Sequence, residues 1–124
     1  MPEQTTADPL TQVLYDIRRR RGDVIGAALA TTEGFPLASD LPPDVEPEAL
    51  AALSAELFSH SSRSAAEFGR GTLNELYAHG DQGYLIVLRA GPEALLVCLA
   101  ATEASLGMLI IELRKAAQLA AQQL

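Results

Sequence analysis

Apolar positions along this chain change period several times, and the changes mark out eight elements. Leu10, Val13, Leu14 and Ile17 recur at helical spacing. Asp8 followed by Pro9 supplies an N-cap with proline at the first helical position. Arg18, Arg19, Arg20 and Arg21 fall in the last turn, where the helix dipole favours cations, and Gly22 is placed to close the helix. The run reads either as a solvated C-terminal cap or as a basic patch for an acidic partner. Val24 to Ala30 (VIGAALA) is a short apolar strand. Thr32-Glu33-Gly34 makes a tight turn into a second strand around Phe35 to Ala38. Pro36 has no N–H for a ladder, which puts that strand at an edge. Ser39 to Glu46, with Pro42 and Pro43, is a loop.

Pro47 opens a long helix. At about 100° per residue, Leu50, Leu53, Leu57, Ser61, Ser64 and Phe68 form one stripe, assigned to the sheet. Ala51, Ser54, Ala55, Phe58, Ser62 and Ala65 form a second stripe beside it. Phe58 lies about 80° from the centre of the first stripe, so the sheet alone is not expected to cover it. Its small neighbours leave room for another helix to approach. Glu56, Arg63 and Glu67 lie away from both stripes, and Gly69 and Gly71 stop the helix.

Leu73 to His79 alternates, with Asn74 and Glu75 near its start, and Gly80-Asp81-Gln82-Gly83 is a hairpin turn. Tyr84 to Leu88 and Ala94 to Ala100 are near-continuous apolar runs joined through Gly91-Pro92-Glu93, as suits central strands buried on both faces. Leu73 to His79 is then the edge of the meander. A last helix begins near Thr102 or Ser105 along Leu106, Leu109, Ile110, Leu113, Ala117, Ala120 and Leu124, with Met108 and Ile111 expected against the first helix. The order is α-β-β-α-β-β-β-α. Apolar central strands need cover on both sides, so the fold is a three-layer α-β-α sandwich. Its five-stranded antiparallel sheet carries the long helix on one face and the two terminal helices on the other.

Composition narrows the function. The chain has 124 residues, 48% of them hydrophobic but only 5% aromatic, and a net charge of −7. That length suits one domain over residues 8–124 behind a loose tail, residues 1–7. The acidic balance argues against nucleic acid or an anionic membrane as the main partner. One cysteine, Cys98, rules out an internal disulfide. No apolar run is long enough to span a bilayer, and the polar first residues do not read as a signal peptide, so a cytoplasmic location is expected.

No constellation for catalysis stands out, and no cofactor or metal is expected. His60 and His79 have no cysteine or carboxylate at ligand spacing. Cys98 sits in an apolar strand, where a thiol is inert. Gly69-Arg70-Gly71 follows a helix and lacks the Gly-Lys-Ser/Thr of a phosphate loop.

Several phrases carry a resemblance over roughly the full length. They are Gly26-Ala27-Ala28-Leu29 through Glu33-Gly34, the run SAELFSHSSRSAAEFGRG from Ser54 to Gly71, Gly83-Tyr84, and Ala104-Ser105-Leu106-Gly107. In this order and spacing the chain resembles the Roadblock / dynein light chain domain family. The resemblance implies the fold just described. It also implies a homodimer in which the middle helices pack together and the strands after them pair across the contact. On this chain that contact maps to Ala51, Ser54, Ala55, Phe58, Ser62 and Ala65 of the helix, and to Leu73, Glu75, Leu76 and Tyr77 of the strand. Members of the family regulate or scaffold small Ras-like GTPases or serve as dynein light chains. Richness in alanine and arginine, with a single lysine, points to the GTPase side. Neither Arg63 nor Arg70 sits in a motif that demands an arginine finger. The expected function is a homodimeric, non-catalytic regulator or adaptor of a small Ras-like GTPase. An assembly scaffold with no effect on nucleotide turnover is the alternative, and a small-molecule sensor a third.

Overall fold

The computed structural model describes residues 8–124; the expected loose tail, residues 1–7, lies outside them. The elements follow the predicted order: α1 (Pro9–Arg20), β1 (Val24–Thr31), β2 (Pro36–Asp40), α2 (Pro47–Glu67), β3 (Glu75–Gly80), β4 (Gly83–Arg89), β5 (Ala94–Ala100) and α3 (Leu106–Gln122). The strands form one antiparallel sheet in the order β2-β1-β5-β4-β3, with β2 and β3 at its edges. This is the three-layer α-β-α sandwich that the periodicity implied.

Local chemistry sets most boundaries. The Asp8 carboxylate caps α1 by accepting from the Thr11 amide at 3.0 Å and the Thr11 hydroxyl at 3.1 Å. Gly69 (φ +73) and Gly71 (φ +84) take the left-handed conformation that ends α2. Gly22 does not play that part for α1. Arg21, with extended backbone, is the C-cap, and its amide returns to the Ile17 carbonyl. Of the two expected starts for α3, Ser105 is the N-cap. β3 starts at Glu75, two residues later than expected; before it, the Leu73 carbonyl accepts from the Arg89 guanidinium instead of from a strand.

Register divides the side chains between two cores. Ala27, Cys98 and Ile86 align across the central strands, as do Leu29, Leu96 and Leu88; these point to α1 and α3. There they meet Leu14 and Ile17 of α1 and Leu109, Leu113 and Ala117 of α3. Val97 and Val87 align on the opposite face, and with Leu95 they pack under Ala55 and Phe58 of α2. Met108 and Ile111, expected against α1, are instead exposed on the outer side of α3. Toward α1, Glu112 of α3 lies 3.9 Å from Arg20.

α2 runs across the strands. One flank meets the β1–β2 turn: a Cβ on Gly34 would stand 3.3 Å from the Ala52 Cα and 3.5 Å from the Ala55 Cβ. The other flank, with Leu50, Leu53 and Leu57, looks to Leu85 and Leu99 at the opposite end of the strands. A helix of 21 residues is about 31 Å long, whereas five strands span roughly 20–24 Å. Its buried residues are Ala51, Ser54, Ala55 and Phe58, all in the first twelve. From Ser59 onward no residue of α2 is fully buried.

Candidate interaction surface

The structure exchanges the two stripes of α2. Ala51, Ser54, Ala55 and Phe58, expected at the contact with a second copy, are covered by the protomer's own sheet; Phe58 is 4% exposed. Leu53 (65% exposed) and Phe68 (75%), expected on the sheet, face outward, and Leu57 is also exposed. The reason is steric. β1 presents only alanines on this side, Ala28 and Ala30, and the Gly34 turn comes close, so the sheet approaches α2 where α2 is small. Phe58 fills the one deep position, over Val87, Leu95 and Val97. The Arg89 guanidinium closes it from above, 5.2 Å from the ring centroid. Ser62 and Ala65 continue this stripe but lie beyond Phe58 and remain half-buried.

The turned-out stripe borders a trough of about 500 Å³ between α2 and the sheet. Leu50, Leu53, Leu57 and His60 form its helical wall, and Leu85 and Leu99 its floor. Both floor leucines are partly exposed although they lie in the apolar runs of β4 and β5. Sequence reasoning missed them because those runs read as uniformly buried. The buried Ser54 hydroxyl also borders the trough and has no hydrogen-bond partner among the described residues.

At the edge of the sheet, β3 pairs with β4 on one side only. Leu76 and Leu73 pack toward the α2-side core, both partly exposed. Glu75 and Tyr77 lie on the other face. Arg114 of α3 grips Glu75 through Nε to Oε2 and Nη2 to Oε1, the latter at 2.9 Å, and the Tyr77 hydroxyl also donates to Glu75. The guanidinium holds the Glu75 carboxyl below its ordinary range. Burial, then the bond to Glu75, pushes the Tyr77 phenol up. His79 stacks on Tyr84 with ring centroids 4.3 Å apart. The half-buried Arg89 donates twice to the Leu73 carbonyl, at 3.2 and 3.0 Å, which ties the α2–β3 connection to β4.

The arginine run of α1 is spent within the protomer. Arg18 pairs with Asp40, Arg19 with Asp16, Arg20 with Glu112 and Arg21 with Asp23. These pairs link α1 to β2, to α3 and to the start of β1. Asp16 and Asp23 are held below the carboxylate range chiefly by their arginine hydrogen bonds.

Groups with reactive potential do not converge. His60 lies 2.7 Å from Arg63 on the exposed part of α2, and Arg70 donates to the Phe68 carbonyl. Burial pushes the Cys98 thiol up to about 12, so it is protonated at neutral pH. Among the described residues no group of three or more His, Cys, Asp or Glu could hold a metal ion, and no helix is long and apolar enough to cross a membrane.

A five-stranded sheet between one crosswise helix and two terminal helices, with an open trough and an open edge, defines a small three-layer α/β sandwich. The chain belongs to the Roadblock/LC7 domain family, whose model matches residues 10–100. An uncharacterized protein of Methanocaldococcus jannaschii is 31% identical over 109 residues, covering 88% of this chain and 94% of that protein. Among solved structures, a Roadblock/LC7 domain from Streptomyces avermitilis superposes with a TM-score of 0.83 at 25% identity, covering 90% of this chain and 93% of that one. The gliding protein MglB from Thermus thermophilus superposes with a TM-score of 0.81 at 26% identity, covering 92% of this chain and 87% of that one.

Proposed function

We propose that the protein is a homodimeric, non-catalytic regulator that binds a small Ras-like GTPase and alters its GTP hydrolysis. The observation that carries the dimer is the pairing of two incomplete features on one side of the molecule. The second half of α2 has no fully buried residue, and beside its first half lies an apolar trough floored by Leu85 and Leu99. A second copy joined through β3 completes both. Its α2 reaches across the shared edge into the trough, and the two β3 edges close each other. In this reading Leu53, Leu57, Leu85 and Leu99 replace Ala51, Ser54, Ala55 and Phe58 in the contact. Ser62, Ala65, Leu73, Glu75, Leu76 and Tyr77 keep their places. The GTPase comes from family membership together with the likeness to MglB.

The test is gel filtration of the protein with a small Ras-like GTPase of its own organism, loaded with GDP or with a non-hydrolysable GTP analogue. A complex in one nucleotide state is expected, together with a changed hydrolysis rate. An unchanged rate within a stable complex would favour a pure scaffold. Absence of a complex in both states would reject the GTPase reading.

A further inference from the structure

We propose that the cleft between α3 and the β3–β4 end of the sheet binds a small organic anion with an apolar body. This cleft lies on the face opposite the α2 trough and is independent of the reading above. α1 and α3 together do not reach the β3 edge, so a space of about 710 Å³ remains beside α3. That volume falls within the range of small-molecule sites.

Two kinds of surface meet there. The walls include Leu88, Pro92, Ala117 and Ala121, which offer an apolar bed. A Cβ on Gly91 would stand 3.3 Å from the Ala121 Cβ, so the absence of a side chain at Gly91 keeps this end open. Around the bed stand polar donors: Arg114, Lys115, the Gln118 amide and the Asn74 amide.

Charge decides the ligand class. The molecule carries −7 overall, yet this cleft gathers Arg114 and Lys115, two of its nine cations, against one carboxylate, Glu75; the guanidinium of Arg89, which also borders the cleft, lies over Phe58 on the opposite face. Arg114 already neutralises Glu75, and Arg89 is turned to the Leu73 carbonyl. Lys115, the chain's single lysine, has no carboxylate partner among the described residues. An uncompensated ammonium beside a bidentate guanidinium, above an apolar bed, fits a ligand whose anionic head meets Lys115 and whose body lies on Leu88 and Ala117.

The experiment is a ¹⁵N–¹H NMR titration of the full chain with octanoate, with its neutral counterpart octanol, and with inorganic phosphate. Octanoate is expected to shift the amides of Gly91, Lys115 and Gln118 saturably, with octanol and phosphate at least about tenfold weaker. Lys115 is exposed, so its variants retain the fold. Lys115→Glu is expected to weaken octanoate about tenfold or more, and Lys115→Arg to preserve binding. Equal binding of octanol or of phosphate overturns the proposal. So does the lack of any saturable shift, or indifference to Lys115→Glu.

Discussion

Arg89 lies over the ring of Phe58, its guanidinium carbon 5.2 Å from the ring centroid, while the same side chain holds the Leu73 carbonyl. One residue of β4 therefore fixes both the largest buried side chain of α2 and the connection that leads from α2 into β3. This makes Phe58 a keystone of the protomer. It is not a contact reserved for a second copy.

Phe58→Ala is accordingly expected to destabilise the protomer by about 3 kcal/mol or more, through lost burial and the cavity left over Val87 and Val97. Loss of the stacked guanidinium adds about 0.5–1 kcal/mol. Urea denaturation followed by circular dichroism measures it. A change under about 1 kcal/mol would mean that the ring is not part of the core.

Leu53→Asp and Leu57→Asp should behave in the opposite way. Both side chains are exposed in the protomer, so a charge there leaves the fold intact and disrupts only what covers the trough. Light scattering is expected to report monomers with an unchanged far-ultraviolet spectrum. Dimers of both variants would place the contact elsewhere.

Glu75 ties β3 to α3, and its folded-state pKa lies below the ordinary value of 4.5 because Arg114 donates to it. A depressed carboxylate adds stability above the unfolded pKa and loses it as pH falls through the folded one. Glu75→Gln removes that contribution. The gap in urea midpoint between parent and variant should therefore be full at pH 7 and shrink below about pH 4.5. A gap that stays constant down to pH 3 would show that the pairing leaves Glu75 unshifted.

Gly83 opens β4 at φ +138, and a Cβ there would stand 2.2 Å from the Ala100 carbonyl oxygen. Gly83→Ala is expected to cost about 3 kcal/mol or to prevent folding, since both the backbone and the contact forbid a side chain. Gly22→Ala, with nothing within 4 Å, is the control and should stay within about 0.5 kcal/mol of the parent. Thermal unfolding of the pair checks this. Similar melting temperatures would overturn the constraint at Gly83.

Much of this protein was legible in its sequence because the signals are local. Asp8-Pro9 marks the start of α1, Gly69 and Gly71 the end of α2, and the unbroken apolar runs of β4 and β5 the middle of a sheet covered on both faces. Each depends on backbone geometry or on period within a few residues, which neighbours cannot easily override. The same runs, with their small-residue phrases, sufficed for the family.

The direction in which α2 turns was not local. Its wheel carries two adjacent stripes, one of leucine and one of alanine around Phe58, and hydrophobicity alone favours the leucines for the core. Tertiary structure reversed that choice, because β1 offers Ala28 and Ala30 and the Gly34 turn packs against Ala52 and Ala55. Close approach needs small residues on both sides. Likewise the pairing of Arg18 with Asp40 and of Arg20 with Glu112, and the meeting of Arg114 with Glu75 beside an open cleft, join side chains distant in sequence. The chain itself determined which elements form and in what order. Packing decided which face of α2 stays exposed, because that depends on the shape of the surface it meets.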